Sequence, residues 1–241
     1  MKDVLPYPAL ELDKKQQVSG MFNRIAATYD FLNHFFSAGI DRHWRKRAVK
    51  ILAEHQPQLI LDAACGTADF ALEAAILNPK KITGVDLSDN MLAIGRKKVK
   101  KKNLENCIEL IRGDCEAVPF SGNNFDAVIV GFGVRNFMNP QQGLKEMNRV
   151  LKPGGKLVVL EFSKPENYFV SKIFNFYFRK FCPFIGGIIS KDRDAYRYLQ
   201  FSVEQFPDGK NFLSMMETAG FINTFQQKLT FGIASIYCGT K

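Results

Sequence analysis

From Val18 onward the apolar residues Val18, Met21, Phe22, Ile25, Ala26 and Tyr29 recur at helical spacing, which predicts an amphipathic helix near the N-terminus. The stretch YDFLNHFFSAGIDRHW (29–44) comes next, then a further helix to about His55. After residue 58 the period changes. Short apolar runs at 59–64 (LILDAA), 81–86 (KITGVD), 107–112 (CIELIR), 125–130 (FDAVIV) and 156–162 (KLVVLEF) read as strands. Helical stretches near 68–77, 89–101 and 141–150 lie between most of them. Ser88 suits the N-cap of the second, with Asp89 in the first turn, where a carboxylate complements the helix dipole. Strand–helix alternation with continuously apolar strands predicts a parallel sheet covered on both faces. A last helix around 209–219 ends at Gly220, and two strands near 222–229 and 233–239 have no helix between them. The expected fold is α/β: a seven-stranded, mostly parallel sheet with an antiparallel closing strand and helices on both faces.

Residues 163–200 fit neither pattern and read as an insertion, a cap over the substrate side of a single domain spanning 1–241, with lid helices over 14–55. Within it, YFVSKIFNFYFRKFCPF (168–184) holds eight aromatic residues in seventeen, enough to make it either a core-facing cap or an interfacial element. As a helix it places Val170, Ile173, Phe174, Tyr177 and Phe181 on one face. Lys172, Arg179 and Lys180 lie opposite, with Phe176 among them.

Composition changes this picture little. With 241 residues, 46% hydrophobic and 24% charged, the chain has the size and make-up of one globular domain. The N-terminus lacks the apolar core of a secretory signal, and no stretch approaches the roughly 18 apolar residues of a membrane span. Five scattered cysteines without a CxxC pair indicate reduced thiols in a cytoplasmic protein. His34, His43 and His55 have no metal-ligand spacing, so no metal is expected. The net charge of +9 includes a run at Arg96, Lys97, Lys98, Lys100, Lys101 and Lys102. It reads as the solvated C-terminal end of a helix rather than an RNA footprint, because no aromatic stacking residues are interleaved with it.

In an open parallel sheet, ligands bind beyond the carboxyl ends of the strands at the point where strand order reverses. The first strand here leads into DAACGTAD, a tight turn at Gly66 without the glycine fingerprint of a dinucleotide site. Asp62 and Asp69 flank it, and they would repel a pyrophosphate but favour a ligand bearing a sulfonium and an ammonium. Asp86 ends the second strand 20 residues after Gly66, where a carboxylate accepts from ribose hydroxyls. Asp114 ends the third, where it meets an adenine amine. Together Asp62, Gly66, Asp86 and Asp114 point to S-adenosylmethionine.

The motifs DAACGTAD, GVDLSDNML, GDCEAVPF and FGVRN, with YDFLNHFFSAGIDRHW (29–44) and RVLKPGGKLVVLEFS (149–163), resemble in content and order those of the class I methyltransferases. More narrowly they resemble the UbiE/MenG family of quinone-ring C-methyltransferases, across nearly the whole chain. The resemblance implies a Rossmann-like fold and contacts from Thr67, Asp86, Asp114 and Cys115 to the methyl donor. It also implies an isoprenoid quinol acceptor, with demethylmenaquinol preferred on family usage and a polyprenyl benzoquinol as the alternative. Cys115 stands where the family often has Ala, and Gly131 where some members have Ser.

Methylating a ring carbon requires a reduced, partly deprotonated ring, in-line positioning and a dry pocket. Arg135 in FGVRN is the candidate to stabilise the phenolate, with a water or carboxylate taking the proton. Asn136, Tyr29 and Asp30 are candidate substrate-side residues. An RNA amino-methylating enzyme would carry an N/D-P-P-aromatic motif where this chain has GFGVRN. A non-catalytic donor-binding module stays open, as does a homodimer. A water-insoluble acceptor, the aromatic segment and the positive charge together suggest weak peripheral contact with the inner face of a membrane.

Overall fold

The computed structural model describes residues 4–241. Helices α1 (Lys14–Phe36) and α2 (Ile40–Leu52) precede β1 (Leu59–Ala63), α3 (Asp69–Ala74), β2 (Lys81–Asp86), α4 (Asp89–Lys101) and β3 (Ile108–Arg112). There follow β4 (Phe125–Gly131), α5 (Pro140–Val150) and β5 (Leu151–Phe162), then three consecutive helices, α6 (Tyr168–Phe176), α7 (Cys182–Ser190) and α8 (Arg193–Gln205). Helix α9 (Lys210–Thr218) and strands β6 (Ile222–Leu229) and β7 (Ala234–Thr240) end the chain.

The seven strands form one sheet in the order β3-β2-β1-β4-β5-β7-β6. All neighbours from β3 to β5 are parallel, and β7 runs antiparallel to both β5 and β6. The expected architecture is therefore present, with the antiparallel strand set one place inside the edge. Successive side chains on the central strands feed two cores. Ile60, Ala127, Ile129 and Val158 pack with α2, α3 and α4 on one face. Leu61, Val128, Val130 and Val159 pack with α5 and α9 on the other. Apolar residues on both faces are why these strands read as unbroken hydrophobic runs. Ser88 caps α4 as expected, its Oγ accepting from the Met91 amide at 3.2 Å.

Two readings shift. The fifth strand begins at Leu151, not 156: Leu151 pairs with Phe125 and Lys156 with Ala127, so Lys152–Gly155 protrude as a wide bulge. Gly154, at φ +80°, supplies the left-handed residue that the bulge needs. The second shift concerns the aromatic segment. Helices α6 and α7 are joined without a break by a wider π turn, Tyr177–Phe181, ahead of Pro183. Such a turn relieves the clash of a proline ring with the preceding turn of helix. Phe174, Tyr177, Phe178 and Cys182 face inward, whereas Ile173 is 71% exposed. The inner stripe is thus rotated by about one residue from the expected one.

Helix α1 is not part of either layer. Val18, Met21, Ile25 and Leu32 pack with Met91 of α4 and with Tyr196 and Tyr198 of α8. Helices α1 and α8 thereby meet above the sheet. The contact between α7 and α8 rests on Gly186, where an added Cβ would lie 2.5 Å from Cγ of Tyr196. Gly186→Ala is expected to destabilise the protein by about 1–3 kcal/mol through overpacking against the Tyr196 ring, read as a lower thermal midpoint.

Candidate active site

The strand order reverses between β1 and β4, and the loops leaving β1, β2 and β4 surround a divided cleft. Gly66 takes φ +53°, and its amide donates to Asp86 Oδ2 at 2.8 Å. The other oxygen of Asp86 accepts from the Ser88 amide at 2.8 Å. One carboxylate therefore ties the first two loops together, and burial still raises its pKa. Asp86, Gly66, Asp114 and Cys115 line a chamber of about 80 Å³. The Cys115 sulfur receives the Ala64 amide at 3.1 Å, and burial holds its thiol far above the ordinary pKa. It packs as a neutral group. Asp114 is already engaged, accepting from Lys15 of α1 at 2.6 Å and from the Glu116 amide at 2.9 Å.

A smaller chamber of about 40 Å³ adjoins the first and is lined by Asp62, Thr67, Asp69 and Arg45 among others. Asp62 is fully buried: Oδ2 accepts from the Ala71 amide at 2.9 Å, and Oδ1 has no partner. Burial is the main reason its pKa rises to about 8. Asp69 differs from the expectation. Lys98 donates to it, Arg45 lies 3.6 Å away and His34 3.8 Å, so its charge is already balanced. Asp62 alone keeps an oxygen free for a cationic ligand. Lys98 in turn is not simply a solvated cation of its run, for it also reaches Asp30 at 3.0 Å.

The structure places Asp30 away from the substrate side. Its carboxylate accepts from Thr67 Oγ1 at 2.5 Å and from Lys98, and it is not among the residues lining the chambers described here. Thr67 is thereby fixed by α1. Spacing on a helix does not show which neighbour a carboxylate will find across it.

The third chamber, about 360 Å³, is walled by Phe22, Trp44, Phe132, Phe162, Phe174 and Phe178 with other apolar groups. Tyr29, Arg135 and Asn136 line it as well. Arg135 is buried, and its Nη1 donates to Glu161 Oε1 at 2.8 Å, with the guanidinium 5.5 Å from the Phe162 ring centre. Glu161 is a partner that the sequence reading missed. Its signal was a lone acid in the otherwise apolar run KLVVLEF. Tyr29 and Phe132 line all three chambers, and Asn136 lines the two larger ones. Phe132, also missed, adopts φ +56°, a conformation that bulky residues rarely take and that is found at functional sites.

These residues fit S-adenosylmethionine: Asp86 for the ribose hydroxyls, Cys115 packed in the same chamber, and the unpartnered oxygen of Asp62 for an ammonium. Among the described residues no group of His, Cys, Asp and Glu is placed to hold a metal ion.

Two measurements check this assignment. Asp86→Ala should weaken donor binding by about 2–4 kcal/mol, since two hydroxyls lose a charged acceptor; calorimetry on the folded variant giving an unchanged dissociation constant would move the ribose elsewhere. Asp62 titrates near pH 8 when folded and near 4 when unfolded, so the folded state holds the extra proton. Its contribution to stability is therefore complete below about pH 4 and is lost as pH rises through 8. A bound ammonium reverses the preference and favours the carboxylate. Titrations at pH 7 in buffers of different ionisation enthalpy should show close to one proton released on binding, and Asp62→Asn should abolish the release.

The model of the ubiE/COQ5 methyltransferase family matches residues 11–241. A demethylmenaquinone methyltransferase of Bacteroides fragilis is 43% identical over 229 residues, covering 95% of this chain and 94% of its own. A ubiquinone/menaquinone biosynthesis C-methyltransferase UbiE of Geobacter sulfurreducens is 45% identical over 231 residues, covering 95% and 90%. Among solved structures, a SAM-dependent methyltransferase from Thermotoga maritima, described as a possible histamine N-methyltransferase, superposes with a TM-score of 0.61. It covers 92% of this chain and 99% of its own at 20% identity, a likeness of fold alone. On the match over nearly its full length, with a donor-shaped cleft at the reversal of the sheet, the chain belongs to the ubiE/COQ5 methyltransferase family.

Proposed function

We propose that this methyltransferase transfers a methyl group from S-adenosylmethionine to a ring carbon of an isoprenoid quinol, with demethylmenaquinol as the acceptor. The observation that carries the reading is the junction at Tyr29 and Phe132, where an aromatic chamber sized for a planar ring meets the two donor chambers. The name of the Bacteroides fragilis relative supports the naphthoquinol ring, and that of the Geobacter relative also covers a benzoquinol.

The donor, when bound, supplies an electrophilic methyl group on a sulfonium centre. The protein's part is positional and electrostatic. Apolar walls exclude water from the ring, which strengthens every charge interaction within. Arg135, held against Glu161, provides fixed positive potential for the oxygen that gains charge as the ring attacks. Burial keeps the Tyr29 hydroxyl protonated and so a hydrogen-bond donor at the junction. Asp30 acts at one remove, by positioning Thr67.

The acceptor's insolubility calls for a route from a lipid phase. No helix among the described residues is long and apolar enough to cross a membrane. The cap nevertheless presents Tyr168, Phe169, Ile173, Phe176, Phe184 and Ile188, each more than 60% exposed, interleaved with Lys172, Arg179 and Lys180. That pattern supports weak, reversible contact with an anionic bilayer, at about 1 kcal/mol per basic residue near the surface.

Arg135→Ala is expected to lower kcat far more than it weakens donor binding, since phenolate charge develops toward the transition state. Equal losses in both, or none in either, would remove Arg135 from catalysis. For the membrane, Phe169→Ser with Phe176→Ser should reduce cosedimentation with anionic vesicles and leave donor affinity intact. Phe178 is unsuitable for that test because it lines the ring chamber. Salt should weaken the binding of the unaltered protein; if it sediments with neither anionic nor neutral vesicles, the aromatic segment is only a cap.

A further inference from the structure

A buried polar side-chain atom without a partner is rare, because it has lost water and gained nothing. Five such atoms occur among the described residues, and three of them, Arg135 Nε, Asn136 Oδ1 and the Tyr198 hydroxyl, belong to residues lining the aromatic chamber. Tyr198 comes from α8 of the cap, is 3% exposed, and has no part in the function so far described. Burial keeps its hydroxyl protonated. The orientation of Asn136 is set by its surroundings. Its Nδ2 donates to the Phe132 carbonyl at 3.3 Å, an atom that only accepts, so Oδ1 is the end left over. The residues lining the chamber thus carry, unpaired, one group that only donates, one that only accepts, and one hydroxyl that does either.

A ring hydroxyl satisfies such a set, because it donates to Asn136 Oδ1 while accepting from Tyr198 or Arg135. A quinone carbonyl only accepts, and leaves Asn136 Oδ1 buried and unpaired. A site built to receive a donor rejects an analogue lacking it, for the stranded acceptor retains its full desolvation penalty. We propose that the chamber selects the reduced ring at the binding step, with Asn136 as the acceptor that reads the hydroxyl and Tyr198 as a further specificity-determining residue supplied by the cap. This rests on the quinol reading and adds that oxidised rings are turned away before chemistry. A reaction that reduces the ring must therefore supply the substrate.

The test uses 1,4-naphthalenediol, 1,4-naphthoquinone and naphthalene as probes, with equilibrium dialysis under argon on the full chain. Trp44, the only tryptophan, lines the chamber, and its emission reports whether a probe enters. The diol should bind about tenfold tighter than the quinone, and Asn136→Leu should make the two equal. Tyr198→Phe should weaken both oxygenated rings about tenfold while leaving naphthalene and S-adenosylhomocysteine unchanged. Equal binding of diol and quinone by the unaltered protein overturns the proposal. So does a Tyr198→Phe variant that binds the diol normally, or one that loses naphthalene to the same degree, which would mark a packing role. If methyl transfer to the quinol persists alongside either result, only this inference falls. If none of the three rings enters, the quinol reading falls with it.

Discussion

The site depends on one carboxylate. Asp86 accepts from the amides of Gly66 and Ser88, so the loops after β1 and β2 are held by the same group that the proposed reading gives to the ribose. Both donors are backbone amides, and the only side chain in the two bonds is that of Asp86. The left-handed turn at Gly66 brings its amide to that oxygen, and the loop then enters α3 without a dinucleotide fingerprint. Next to this clamp the cleft keeps a second, strained oxygen. Asp62 is desolvated and half satisfied, a cost that a cation bound there would remove.

The acceptor side follows a different logic. Its walls are largely aromatic, and besides Asp41 and Arg45 of α2 it has a second buried pair, Arg135 with Glu161. Such a pair is weak evidence of stabilisation, because two desolvated charges recover little more than they lose. It does keep a guanidinium fixed in an apolar chamber with one N–H unpaired. Helices α1 and α8 supply Tyr29 and Tyr198 from distant parts of the sequence, so the chamber exists only when these helices are packed together.

A polar network at the smallest chamber links α1 to the core. Asp30 from α1, Thr67 and Asp69 around the first loop, and Lys98 from α4 share hydrogen bonds. His34 and Arg45 extend the network to Asp41 of α2. Charges that looked like separate features along the chain, an acid on a helix and a lysine in a basic run, neutralise one another in space.

Local pattern determined the strands, the helices and the Ser88 cap, because each depends on neighbours within a few residues, and the order of these elements indicated a mostly parallel sheet with an antiparallel closing strand. Strand-end positions likewise located Asp62, Gly66, Asp86 and Asp114, since loops at the carboxyl ends of parallel strands must gather at the reversal of strand order. Tertiary structure decided what local pattern does not encode. Pairing assigned Asp30 and Asp69 to Lys98, left Asp62 with a free oxygen, and gave Arg135 its Glu161 across two strands. Backbone geometry put Phe132 at the meeting point of the three chambers, and the π turn before Pro183 rotated the aromatic stripe so that Phe178 faces in. The physical reason is the same throughout. Sequence spacing sets which side of an element a residue occupies, whereas the partner of a charge or ring is chosen by packing between elements far apart in the chain.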